Sequence, residues 1–140
     1  MSGFQVTGGE KLSGRLNAEG SKNAALPILA ATILNGKRNT IFHCPMIRDV
    51  CMMMEILRSL GCCVQAEGGS VFVDSSGLRT CEVLSALASE MRSSVILLGP
   101  LLARCGKAVI SHPGGCAKGK EWKSRPFPQI HLPMGLNPVF

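Results

Sequence analysis

A cysteine in a glycine-rich segment is the first candidate for chemistry. Cys116 lies in PGGCA, residues 113–117, directly after a predicted strand at 108–111. Glycines let a loop adopt positive φ and let a ligand approach the backbone closely, and loops commonly carry reactive groups. Neighbouring basic residues favour the thiolate, and a thiol near its own pKa can also donate a proton. The alternative is a small buried cysteine after a glycine turn, and both interpretations stay open on these residues alone.

A lysine and an asparagine follow a glycine–serine turn at the start of a predicted helix. Lys22 and Asn23 come directly after Gly20 and Ser21, where an apolar helical stretch begins. A helix N-terminus has free N–H groups and a positive potential, so a lysine there is unfavourable for the helix by itself. It becomes favourable when an anion is held between the amine and the helix. The alternative is a solvated lysine beside an ordinary cap, and the pattern of a phosphate-binding P-loop is absent.

An arginine occupies a similar position later in the chain. Arg92 lies in EMRSS, residues 90–94, at the predicted start of another helix. The planar guanidinium can bind a phosphate or a carboxylate with two parallel hydrogen bonds. Pairing with Glu90, or simple solvation, is the alternative.

The composition is that of one globular domain with an aliphatic core. Of 140 residues, 46% are hydrophobic but only 4% aromatic, so aliphatic residues, methionine and cysteine must fill the interior. The net charge is +6, and residues 118–140 contribute +3 of it, from four basic residues and one acidic residue. The rest of the chain has no basic stripe, so we do not expect a nucleic-acid partner.

Cysteine usage indicates a reduced, cytoplasmic protein. The seven cysteines are Cys44, Cys51, Cys62, Cys63, Cys81, Cys105 and Cys116, and no secretory signal precedes them. No C-x-x-C motif is present and the histidines are scattered, so we expect neither a metal site nor a cofactor. The apolar stretches are too short to span a membrane. Apart from Cys116, we interpret the cysteines as small hydrophobic residues, with Cys62 and Cys63 on opposite faces of one strand.

Hydrophobic periodicity and turn residues predict alternating strands and helices. Strands are predicted at 4–7, 12–18, 38–43, 62–66, 70–74 and 108–111, and helices at 24–34 (N-capped by Ser21), at 47–60 and at 91–105. Residues 81–87 form either a short helix or an irregular connection, and Gly99-Pro100 should kink the last helix. Two rounds of strand and helix predict an α/β fold with an internal βα repeat.

Three sequence motifs together indicate a protein family much more specifically than any one of them does alone. GSKNAALPIL at 20–29, MRSS at 91–94 and PGGCA at 113–117 resemble the UDP-N-acetylglucosamine 1-carboxyvinyltransferase family of enolpyruvyl transferases. By these motifs the resemblance runs from about Phe4 to Gly119. It implies transfer of enolpyruvyl from phosphoenolpyruvate to the 3-hydroxyl of UDP-N-acetylglucosamine, with release of phosphate, in peptidoglycan synthesis.

The resemblance also implies roles for four residues. Lys22 and Asn23 would contact phosphoenolpyruvate, and Arg92 would contact the UDP-sugar. Cys116 would protonate the methylene carbon of phosphoenolpyruvate as general acid, and it could also form a covalent adduct at the neighbouring carbon.

The implied fold is the inside-out α/β barrel of this family, in incomplete form. Residues 1–21 would be opening strands of an otherwise missing second domain, 22–119 a partial enolpyruvyl transferase domain, and 120–140 an irregular divergent tail. The missing half carries the family's general base, an aspartate, so we expect the chain to be inactive alone. The alternatives are a remnant that binds UDP-sugar or phosphoenolpyruvate without turnover, and a complementary fragment that supplies the missing half.

Overall fold

The computed structural model describes residues 3–9, 11–110 and 130–131. Within these ranges helices and strands are mixed, which confirms the predicted α/β class. The first group of elements comprises helix α1 (Lys22–Ala31), strand β1 (Arg38–Ile41), helix α2 (Arg48–Ser59), strand β2 (Cys63–Glu67) and strand β3 (Ser70–Asp74).

The first sheet is antiparallel, with strand order β1-β3-β2. The β2–β3 hairpin closes with Glu67 opposite Ser70, so Gly68 and Gly69 form a two-residue turn. Both glycines have positive φ, +56° and +76°, as a tight hairpin turn requires. The predicted hairpin is therefore confirmed.

The second group starts with strand β4 (Glu82–Val83) and helix α3 (Ser85–Glu90). A 3-10 helix (Arg92–Leu97) then leads into helix α4 (Leu98–Cys105), strand β5 (Lys107–Ile110) and strand β6 (Ile130–His131). Strand β5 pairs in parallel with β4 and antiparallel with β6. The short strand β6 lies in the segment that was predicted to be irregular.

The core lies between α1, α2, the 3-10 helix, α4 and the sheets. Fully buried side chains come from one face of each helix and include Leu29, Met53, Leu57, Leu97 and Leu101. Burial of one face on every turn explains why α2 has its apolar residues three and four apart. The interpretation of Met52, Met53 and Met54 as core residues is confirmed for Met53 and Met54, which are buried, while Met52 is partly buried against the same core.

Three predicted elements differ from the structure. No strand forms at 4–7 or 12–18, where Phe4, Val6, Leu12 and Leu16 are almost fully exposed. A strand requires hydrogen-bonding partners, and no described segment pairs with these residues. The helix predicted at 91–105 is a 3-10 helix joined to α4, and Pro100 lies in the first turn of α4, where a missing N–H costs no helix bond.

No helix within the described residues combines the length and apolar character that crossing a membrane requires.

Candidate functional site

The first turn of α1 is open to a ligand. Lys22 is the first helical residue and Ser21 is the cap residue, with an extended backbone but no side-chain hydrogen bond to the helix. The Ser21 carbonyl accepts hydrogen bonds from the N–H groups of Ala24 (3.2 Å) and Ala25 (2.9 Å). Since the Ser21 hydroxyl does not cap the turn, the N–H groups that point out of this end are available to an anion.

Pro27 lies inside α1 and weakens its first turn. It is the sixth residue of the helix, so it cannot donate the hydrogen bond that the Asn23 carbonyl would otherwise accept. The Asn23 side chain is exposed beside Lys22. The two residues predicted to contact phosphoenolpyruvate therefore lie together on the exposed start of α1.

An ion pair holds the Lys22 amine. Its Nζ lies 2.7 Å from Oδ2 of Asp49, in the first turn of α2, and the two side chains are 46% and 35% exposed. The contact exists because α1 and α2 pack against each other. Lys22 is thus neither freely solvated nor buried, and its amine remains accessible to a ligand from solvent.

The turn that leads into α1 passes very close to a neighbouring loop. A Cβ atom at Gly20 would lie 2.2 Å from the His43 carbonyl oxygen and 3.0 Å from Cδ of Pro45, so only glycine fits. An open cleft of about 580 Å³ lies beside this contact and is lined by residues 17–20, 43–46 and Gly69. The close approach fixes where α1 starts and therefore where Lys22 is placed.

Arg92 is exposed at the first position of the 3-10 helix. The alternative partner, Glu90, is instead bonded to Arg48, with Nη2 of Arg48 donating to Oε2 of Glu90 at 2.8 Å. Arg92 forms no ion pair with the residues that the structure describes. Because the 3-10 helix packs against α1, the elements that carry Lys22 and Arg92 are neighbours.

Cys116 lies outside the described residues, so its predicted proximity to Lys22 stays a prediction. Of the other cysteines, Cys44, Cys62 and Cys81 are buried as expected, whereas Cys51, Cys63 and Cys105 are exposed. Cys62 directly precedes β2 and is buried, whereas Cys63 is the first residue of β2 and is exposed.

Burial suppresses the reactivity of several of these thiols. It raises the pKa of the Cys62 thiol to about 11, with a smaller contribution from the Asp74 carboxylate. Burial also raises the pKa of Cys44. Cys105 is exposed as a residue, but partial desolvation of its thiol and the neighbouring Cys81 raise its pKa as well. A raised pKa lowers the fraction of each thiol that is ionised at neutral pH, so these thiols react slowly with electrophiles.

Asp49 and Arg48 are the site residues that sequence reasoning missed. The sequence shows both at the start of an amphipathic helix, where an aspartate is ordinary because it interacts favourably with the helix dipole. Their connections to Lys22 and Glu90 depend on how α2 packs against α1 and α3. One sequence signal could have identified Asp49: it is the acidic residue in the first turn of the helix that follows the one carrying Lys22.

The sequence matches one protein family over most of its length. The family described as EPSP synthase (3-phosphoshikimate 1-carboxyvinyltransferase) matches residues 6–134. The match continues past Gly119, so the resemblance does not end where the motifs alone indicated.

Curated relatives include several UDP-N-acetylglucosamine 1-carboxyvinyltransferases. The chain is 45% identical over 119 residues to one from Caldanaerobacter subterraneus subsp. tengcongensis, covering 85% of this chain and 28% of the relative. It is 48% identical over 121 residues to one from Symbiobacterium thermophilum, covering 83% and 27%. It is 45% identical over 132 residues to one from Geotalea uraniireducens, covering 94% and 30%. The chain therefore spans less than a third of the length of these relatives.

A solved structure has the same arrangement of elements. The enolpyruvyl transferase NikO from Streptomyces tendae superposes with a TM-score of 0.65 at 29% sequence identity, covering 72% of this chain and 24% of that protein. The described part of the chain thus has the enolpyruvyl transferase fold in incomplete form.

Proposed function

Because the chain belongs to the EPSP synthase family, we propose that the start of α1 forms the phosphoenolpyruvate-binding part of a UDP-N-acetylglucosamine 1-carboxyvinyltransferase. The observation that carries this proposal is the exposed, uncapped first turn of α1 with the Lys22 amine and the Asn23 amide on it. The identity of 45–48% to relatives with that name favours this acceptor sugar over shikimate 3-phosphate.

The proposed site suits a phosphorylated carboxylic acid. The helix N–H groups and the Lys22 ammonium can both bind the phosphate, and the Asn23 amide can donate a further hydrogen bond. As the C–O bond to phosphate breaks, negative charge increases on the leaving group. Lys22 is placed to stabilise that charge without reorganisation.

Cys116 and Arg92 have complementary proposed roles. The Cys116 thiol donates its proton to C3 of phosphoenolpyruvate, which makes C2 electrophilic, and the sugar 3-hydroxyl oxygen then bonds to C2. Phosphate then leaves from C2, and the Cys116 thiolate takes a proton back from C3, which restores the carbon–carbon double bond in the enolpyruvyl product and regenerates the thiol. Arg92 binds the diphosphate of the UDP-sugar with its planar guanidinium.

We propose that turnover also requires residues from outside this chain. The hydroxyl proton needs a base, and the chain spans only 27–30% of the relatives named above. We therefore expect ligand binding without turnover by the chain alone, and turnover only with a complementary fragment. Both substrates are metabolites of the cytoplasm, which is where we expect the protein to act.

Isothermal titration calorimetry of the full chain tests the binding proposal. We expect saturable binding of phosphoenolpyruvate, weakened about 10-fold or more by Lys22→Gln, because a charge-assisted contact to phosphate is lost. Lys37→Gln is the matched control, since it removes the same charge from an exposed lysine beyond the other end of α1. Equal binding by both variants, or no binding by the wild type, would overturn the proposal.

A second titration addresses the acceptor. UDP-N-acetylglucosamine should bind the wild type, and Arg92→Gln should weaken it while leaving phosphoenolpyruvate binding within about twofold. Mixing the chain with the remaining segment of a relative, and assaying phosphate release, then tests complementation. No release at any ratio would count against a complementary fragment.

A further inference from the structure

We propose that Asp49 is a positioning residue that holds the Lys22 amine over the open end of α1, ready for the phosphate of phosphoenolpyruvate. This inference rests on the proposed function and adds a residue to it. Asp49 does not itself bind the ligand in this account, because an anionic carboxylate cannot donate a hydrogen bond to an anion.

The geometry supports a fixed Asp49. It lies in the first turn of α2, where a carboxylate is favoured by the helix dipole. The preceding residue, Arg48, is bonded to Glu90 at the end of α3. The turn that carries Asp49 is therefore held against α3 on one side while its carboxylate contacts Lys22 on the other, at 2.7 Å.

The physical benefit is preorganisation. A lysine side chain has four rotatable bonds and loses conformational entropy when a ligand fixes it. Asp49 restricts Lys22 before the ligand arrives, so less entropy is lost on binding. The lysine ammonium has three donors, so one N–H can remain on Asp49 while the others bind phosphate.

Electrostatic repulsion opposes this benefit, and it must be smaller than the benefit for the proposal to hold. The Asp49 carboxylate repels an anionic ligand, which by itself weakens binding. Its side chain is 35% exposed and it is paired with a cation, so water, salt and Lys22 screen this repulsion. We therefore expect orientation of Lys22 to outweigh repulsion.

Two substitutions at Asp49 separate these effects. Asp49→Ala removes both the acceptor and the charge, and it should weaken phosphoenolpyruvate binding about 3- to 10-fold, the effect of one side chain that must be ordered on binding. Asp49→Asn keeps an oxygen acceptor for the Lys22 amine, and its affinity should stay within about twofold of wild type. Glu55→Ala is the matched control, because it removes an acidic residue that pairs with Arg58 on the same helix.

A second measurement needs no ligand. Acetylation of surface amines with limiting acetic anhydride, followed by mass spectrometry, should modify Lys22 more slowly than Lys37 in the wild type. Asp49→Ala should remove this protection, whereas Glu55→Ala should not.

The outcomes distinguish the two proposals. Wild-type binding of phosphoenolpyruvate with equal or tighter binding by Asp49→Ala overturns the positioning role and leaves the proposed function intact. Absence of binding by the wild type, with protection of Lys22 that depends on Asp49, overturns the proposed function and leaves the pair a structural contact. Unchanged acetylation of Lys22 in Asp49→Ala shows that the carboxylate does not hold the amine, and it overturns the positioning role directly.

Discussion

The Lys22 amine lies 2.7 Å from the Asp49 carboxylate, and this contact joins the first residue of α1 to the first turn of α2. Half-exposed ion pairs of this kind add only about 0–1 kcal/mol to stability. Its importance is therefore that it fixes the amine of the residue that begins α1, whose first turn has no side-chain cap.

Gly20 sets the start of α1, and enlarging it should displace Lys22. In Gly20→Ala the new methyl group would lie 2.2 Å from the His43 carbonyl oxygen, which is backbone and cannot rotate away. We expect a loss of about 1–3 kcal/mol in the free energy of unfolding, as for other overpacking changes, together with weaker phosphoenolpyruvate binding. Urea denaturation and calorimetry measure the two effects. Gly8→Ala, which meets no atom within 4 Å, should change neither, and an equal loss in both variants would contradict the account.

The buried face of α1 should contribute strongly to the stability of the fold. Leu29 is fully buried, and Leu29→Ala should lower the free energy of unfolding by about 2–5 kcal/mol through lost burial and the cavity that remains. The neighbouring Ile28 is 50% exposed, so Ile28→Ala should cost about 1 kcal/mol or less. Denaturant midpoints of the two variants provide the comparison, and similar losses would show that α1 does not pack as described.

The Cys62 thiol should make stability depend on pH above pH 9. Its pKa rises from an ordinary 9.0 to about 11 because it is buried. The unfolded chain then loses this proton near pH 9 while the folded chain keeps it, so the folded state binds more protons and stability falls as pH rises. The loss contributed between pH 9 and 11 should be about 1–2 kcal/mol.

Two alanine variants isolate that contribution. Cys62→Ala should flatten the fall in melting temperature between pH 9 and 11. The exposed neighbour Cys63 is the control, and Cys63→Ala should keep the wild-type slope. Identical slopes in the two variants would assign the pH dependence to other groups.

Cys116 should react faster with electrophiles than the other thiols. Burial raises the pKa of Cys44 and Cys62, and partial desolvation together with Cys81 raises that of Cys105, so these thiols are largely protonated at neutral pH. An activated Cys116 should be alkylated about 10-fold faster than the exposed Cys63, by analogy with other cysteines activated by basic neighbours. Brief iodoacetamide treatment with peptide mass spectrometry measures the rates.

Ligand protection makes the alkylation experiment specific to the site. Phosphoenolpyruvate should slow modification of Cys116 and leave the rate at Cys63 unchanged. Equal rates at Cys116 and Cys63 without ligand would favour the alternative of an ordinary cysteine after a glycine turn.

The elements that were predicted well are those whose signals are local. The apolar spacing from Ile47 to Leu60 predicted a helix that the structure has at Arg48–Ser59. Two adjacent glycines predicted the β2–β3 hairpin, because only glycine adopts positive φ without strain at both turn positions. In each case a few neighbouring residues determine the conformation.

The strands that were predicted wrongly at the start of the chain show that a strand depends on partners elsewhere in the fold. Alternating residues in 4–7 and 12–18 suit a strand, but an isolated strand lacks partners for its backbone groups. The helix at 91–105 changes from 3-10 to α geometry at Leu98, directly before Gly99 and Pro100, where the sequence indicated only a kink.

The candidate site likewise combines residues that local sequence patterns predict with a contact that they do not predict. Lys22, Asn23 and Arg92 are predicted from their positions at helix starts, and the structure places all three at exposed helix starts. The Lys22–Asp49 contact was not predicted, because it depends on the packing of α1 against α2 rather than on any local pattern.

The location of the ligand is tested most directly by two-dimensional 1H–15N NMR of the full chain titrated with phosphoenolpyruvate. Our account predicts that the largest saturable shift changes occur at the amides of residues 21–25, the open end of α1, and that Lys22→Gln reduces them while Lys37→Gln does not. Changes concentrated in the basic segment 118–125, with the amides of residues 21–25 unaffected, would contradict the account.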